Sequence, residues 1–265
     1  MQEKNKIGAW ISVIGAITNL ILYPLFFLLL YKVLWAAELA KSDASAFGCA
    51  MVVKYYYPTY TDLGTLSGAI FVVAAYFYFK DNFKWGYILS TVAVINGLMW
   101  SFWPAVPALD TKNPPYHLII FILNFVYYLI ITKSVGELPT SRVLFGMIMG
   151  MAMITTFMNG VANTNRIIIY DAAPIYVLGQ RLSFLVGIVW MVVIITMLLW
   201  PQQEWLKPVA LANAILALLA GLPLGIDMSI AKQTFSMFLL GPIFSTIILI
   251  VLIIPGWWDK IVKPE

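Results

Sequence analysis

The chain has 265 residues, of which 62% are hydrophobic and 11% charged, with a net charge of +4. A soluble globular domain carries about 25% charged residues, so this composition excludes water as the solvent and calls for lipid. The charge is spread over connections without a basic run, which excludes nucleic acid as a partner, and the single cysteine, Cys49, excludes an internal disulfide.

At about 20 residues per crossing, the sequence predicts an all-α, polytopic transmembrane bundle of eight spans, forming one integral-membrane domain over 1–265. The spans fall near 7–35, 63–79, 85–106, 117–132, 143–161, 182–200, 206–226 and 235–254. The first apolar run, from Ile7 to Trp35, is too long for a signal-peptide core of about 7–15 residues, so it reads as a retained span. Residues 36–62 form a predicted long connection. It closes on KYYYPTYTD, where Tyr55, Tyr56, Tyr57 and Tyr60 surround Pro58. These tyrosines fit either a belt at the lipid headgroups or a platform for docking an extracytoplasmic partner.

Lys80, Asp81, Asn82 and Lys84 cannot lie in hydrocarbon and predict a tight turn between spans two and three. Pro114 and Pro115 precede span four. Pro174 precedes span six, Pro201 stops it, and Pro208 opens span seven where its missing N–H costs little. A second long connection is predicted over 162–181. Pro24, Pro223 and Pro242 fall inside spans and predict kinks whose freed carbonyls need partners or line a cavity. The small-residue spacings Gly64/Gly68, Gly146/Gly150 and Gly221/Gly225 predict close helix contacts.

With both termini on one side, that side carries nine of the 16 Lys and Arg residues and the other carries seven. By the positive-inside rule this puts both termini in the cytoplasm of a multi-pass protein of the cell membrane. Trp10, Trp85, Trp200, Trp205, Trp257 and Trp258 fall at span ends on the same side; Trp35, Trp100 and Trp103 fall toward the other.

No carboxylate, lysine or histidine lies near a span centre, so the asparagines are the informative polar residues. Asn19, Asn96, Asn124, Asn159, Asn163 and Asn213 each seek a hydrogen bond and therefore mark interior faces. Span five is richest: Thr155, Thr156, Asn159, Asn163 and Arg166 recur at spacings of three and four. That spacing draws one polar stripe along the helix, either a cavity wall or a helix contact. Asp171, Arg181 and Asp227 add charges at the outer mouth beside Arg166.

His117 is the only histidine and sits at the start of span four, where it reads as an interfacial side chain. One histidine supplies neither two haem ligands nor a three-histidine zinc site, and no cofactor or metal motif stands in the chain. Three functional classes remain. The leading one is a non-catalytic integral subunit or anchor of a larger membrane complex, of which a respiratory or electron-transfer assembly is one kind. Its partners would be lipids and other membrane or extracytoplasmic subunits, docked through 36–62 and 162–181. The second is a transporter or facilitator of a small neutral or weakly anionic solute along an asparagine-lined path. The third is an enzyme acting on outer-leaflet lipid through Asp171, Asp227 or His117.

Overall fold

The structure is a computed structural model that describes residues 2–42 and 45–263. Among these residues the fold is all-α. Its helices are α1 (Gln2–Leu39), α2 (Ala46–Phe79), α3 (Phe83–Ser101), α4 (Ala105–Asp110), α5 (His117–Leu129), α6 (Thr140–Ile169), α7 (Pro174–Leu199), α8 (Leu206–Lys232), α9 (Leu240–Ile253) and α10 (Trp257–Val262). A π-helical turn, Ile130–Val135, extends α5, and a short 3-10 turn, Met237–Leu239, leads into α9.

Among the described residues seven stretches are long and apolar enough to cross a membrane, and Met237–Ile253 is a shorter apolar helix in the place of the eighth predicted span. The breaks have the expected causes. Asp81 takes a left-handed φ of 55° in the turn after α2, and the Asn82 side chain caps α3 by accepting the Trp85 N–H at 3.3 Å. Helix α7 begins on Pro174 and ends before Pro201.

The two long connections are corrected. Helix α2 starts at Ala46, so most of 36–62 is helical, and only 43–44 lie outside the described residues. Pro58 does not break this helix because Tyr31 of α1 donates to the Lys54 carbonyl at 3.2 Å. That carbonyl is the one whose helical donor Pro58 removes. The segment 162–181 is likewise helical, with 170–173 alone linking α6 to α7. Asp171 and Ala172 make that turn with φ of 46° and 58°.

The chain divides into two compact units, Met1–Leu138 and Pro139–Glu265. In the first, α1 packs on α2, α2 on α3, α3 on α5, and α5 returns to α1. In the second, α6 packs on α7, α7 on α8, α8 on α9, and α9 returns to α6. Each unit is thus a closed ring of four helices.

Small residues let the helices approach, as lipid-solvated packing requires. Gly64 meets the ring of Tyr23 and Gly68 meets Leu20, which seats α2 on α1. Gly221 meets Pro242, and Gly225 meets Leu239, which seats α8 on the start of α9. Gly150 has nothing within 4 Å of a Cβ placed on it, so the predicted Gly146/Gly150 contact is not made at that residue. Trp100 and Trp103 are also corrected. Both are buried against Tyr60, at centroid distances of 5.2 and 4.8 Å, whereas Trp10, Trp85, Trp200, Trp205 and Trp257 are exposed. Trp258, grouped with the latter by sequence, is buried against Phe145.

Candidate functional site

All six predicted asparagines are buried, as their cost in hydrocarbon requires. In the first unit Asn19 and Asn124 exchange hydrogen bonds at 3.2 and 3.0 Å. Their remaining N–H groups go to the Gly15 and Ile120 carbonyls at 2.7 and 3.1 Å. Asn96 donates to the Leu63 carbonyl at 2.9 Å and to Ser67 Oγ at 2.7 Å, and accepts from Trp100 Nε1 at 2.7 Å. An amide carries two N–H donors, so these three side chains have none to spare. Thr18 with Tyr127, at 2.7 Å, and Tyr23 with the Gly97 carbonyl, at 2.9 Å, complete the polar seam. Gly97 is needed there because a Cβ would stand 2.6 Å from Asn124 Oδ1.

The second unit repeats part of this plan. Asn213 on its third helix donates to the Val186 carbonyl of its second at 3.1 Å, as Asn96 does to Leu63. Asn159 donates to the Phe238 carbonyl at 2.9 Å, and Asn163 to the Asn159 carbonyl at 2.9 Å. Phe238 lies in the 3-10 turn before α9, so Asn159 ties that turn to α6; Pro242 falls in the first turn of α9, where its missing N–H removes no helical bond. Here each amide spends one of its two N–H groups.

The predicted stripe on α6 is mostly a helix contact. Thr156 and Asn159 face Gly241 of α9, Asn159 also faces Gly221 of α8, and Asn163 faces Gly179 of α7. Thr156 Oγ1 is buried with no hydrogen bond among the described residues. Arg166 ends the stripe half-buried, against the Met228 thioether and over the Tyr170 ring. The expected cluster of arginine with aspartate is not formed: among the described residues no ion pair joins Arg166, Asp171, Arg181 and Asp227. Asp227 instead accepts from the Tyr176 hydroxyl at 3.0 Å, and Tyr176 stacks on Tyr170. Arg181 and Asp171 are exposed.

The tyrosines of α2 divide. Tyr57 and Tyr60 are fully buried, Tyr56 is half-buried near Trp103, and Tyr55 is exposed beneath the Lys54 ammonium. Only Tyr55 of the four presents its ring to the surroundings, because a helix turns successive residues by 100° and buries the others against α1 and α3.

Two polar features went unread in the sequence. His117 is not interfacial but completely buried, with Tyr23, Phe26 and Tyr57 edge-on around it at 5.9, 5.8 and 5.3 Å. Its Nδ1 lies 3.4 Å from the Tyr57 hydroxyl, which also lies 3.3 Å from the Phe26 carbonyl. The second feature closes the far end of the α1–α2 hairpin. Lys41 bridges Glu38, at 2.7 Å, and Asp110 of α4. Glu38 is 1% exposed. Burial pulls the Lys41 pKa down, but its bonds to Asp110 and Glu38 outweigh this, and the net shift is upward from 10.5.

Hollows lie within the units. A groove of about 290 Å³ between α1 and α2 is lined by Val13, Ala16, Ile17, Leu20, Val72 and their apolar neighbours. A crevice of about 20 Å³ between α7 and α8 reaches Asn163.

These features define a multi-pass helical membrane protein whose deep polar groups join helices to one another. The chain has no significant match to a protein-family model, a curated protein or a solved structure.

Proposed function

We propose that this protein is a non-catalytic integral subunit or anchor of a larger complex in the cell membrane, surrounded by lipid and by other membrane or extracytoplasmic subunits. The observation that carries this reading is the use of the deep amides. Asn19, Asn96 and Asn124 have every N–H committed to a neighbouring helix or their own backbone, and Asn159 and Asn213 hold backbone carbonyls of other segments. Groups spent this way hold a scaffold rigid and are not presented to a passing solute. Large apolar side chains also face outward on the membrane-length helices, including Leu28, Leu66, Leu185 and Leu219. Lipid or partner helices cover such faces.

With 36–62 and 162–181 folded as helices, docking would use their outward residues. Phe47 and Tyr55 are exposed on the first turns of α2, and Tyr170 and Ile175 flank the α6–α7 turn. Extraction in mild detergent followed by a blue-native gel tests the reading. A band well above monomer mass with stoichiometric co-purifying protein is expected. Migration at monomer mass with no companion overturns it.

A further inference from the structure

The geometry points to an ordered water molecule bound between α7 and α8, bridging the Asn163 side chain and the Leu219 carbonyl. This inference stands apart from the subunit reading and rests on three observations.

The first is a lost helical donor. Pro223 lies inside α8 and removes the N–H that the Leu219 carbonyl would accept. In lipid an unsatisfied carbonyl costs several kcal/mol, so membrane helices keep a proline only where something replaces the lost donor. A side chain meets the same demand at Pro58, where Tyr31 donates to the Lys54 carbonyl; among the described residues no side chain donates to the Leu20 carbonyl beneath Pro24. Among the described residues no side chain donates to the Leu219 carbonyl.

The second is an unspent donor and acceptor. Asn163 is 1% exposed, yet it uses only one N–H, on the Asn159 carbonyl. Its second N–H and its oxygen remain.

The third is the space between them. Asn163, Leu219 and Pro223 line the same crevice, with Gly179, Tyr176 and Leu224. Its volume of about 20 Å³ exceeds the roughly 10–15 Å³ that a water needs. Gly179 keeps it open, since a Cβ there would come 3.0 Å from Asn163 Nδ2. A water in this space donates to Leu219 and exchanges hydrogen bonds with Asn163, supplying the two to four polar partners that a buried water requires.

X-ray hydroxyl-radical footprinting of the purified full chain reads this directly, because radicals formed from a held water oxidise the side chains beside it. Leu224 lines the crevice and is 1% exposed; Leu198, also 1% exposed, does not line it and serves as the control. Leu224 is expected to be labelled and Leu198 not. Asn163→Leu should abolish labelling at Leu224. Pro223→Ala, which restores the helical N–H and is the gentler change for folding, should diminish it. A crystal structure in a lipidic phase should show an isolated density peak within hydrogen-bond distance of Asn163 and the Leu219 carbonyl. Leu224 labelled no more than Leu198, a dry crevice, or density continuous with a lipid overturns the inference.

Discussion

Replacing Lys41 by methionine is the sharpest test of the polar architecture. The change keeps the aliphatic stem and removes the ammonium, so it strips Glu38 of the cation beside it while Glu38 stays 1% exposed. Removing one partner of a buried pair costs about 3–5 kcal/mol, most of it the penalty of an uncompensated buried charge. Lys41 itself keeps 20% of its side-chain surface, so water screens part of the interaction and the low end, about 3 kcal/mol, is the expected loss. Asp110 is 61% exposed, and Asp110→Asn should cost about 1 kcal/mol or less. Glu38→Gln combined with Lys41→Met should recover much of the single-variant loss, because the buried charge is gone. The pH dependence has a fixed sign. The folded-state pKa of Lys41 is raised above 10.5, so its contribution is complete below that value and is lost as pH rises through the folded pKa. Reversible unfolding in mixed micelles, followed by tryptophan fluorescence at neutral and alkaline pH, measures all of this. A Lys41→Met variant within about 0.5 kcal/mol of the parent, the ordinary range for surface changes, would refute the reasoning.

Three further outcomes follow from the same structure and the same unfolding assay. Asn19→Leu should cost about 0.6–2 kcal/mol, the range for interhelical polar contacts, and adding Asn124→Leu should restore part of it; strict additivity would contradict the paired geometry. Gly97→Ala should destabilise by about 1–3 kcal/mol, since its Cβ would stand 2.6 Å from Asn124 Oδ1, and a neutral result would mean that α3 does not approach α5 so closely. Tyr31→Phe should cost about 1 kcal/mol by uncapping the Lys54 carbonyl, and Pro58→Ala should rescue that variant by restoring the helical donor; failure of rescue would separate Tyr31 from the proline.

The fold class and most helix ends were legible because they depend on local chemistry. The charged turn at 80–84 and the prolines at 174 and 201 act on their own neighbours, and the helices end there. The start of α2 was not legible. Residues 36–62 read as a connection, and the group that caps the Lys54 carbonyl beneath Pro58, the Tyr31 hydroxyl, comes from another helix. The burial of the asparagines could be read from the cost of an amide in lipid, but their partners could not, because Leu63, Val186 and Phe238 offer only backbone carbonyls. His117 stands beside two prolines at a helix start and reads as interfacial; the rings that enclose it belong to α1 and α2. Glu38 and Lys41 fell in a predicted loop, so their bridge to Asp110 left no periodic mark.

The central claim is that the deep amides are helix adhesive and do not line a solute path. Single cysteines at 19, 96, 159 and 213, in a Cys49→Ser background, put it to the test with a small membrane-impermeant thiol reagent applied to both faces of sealed vesicles. The account predicts no labelling at any of the four until the protein is denatured. Rapid labelling of two positions in the same unit in the folded protein would mean a water-filled path through it, and would contradict the account.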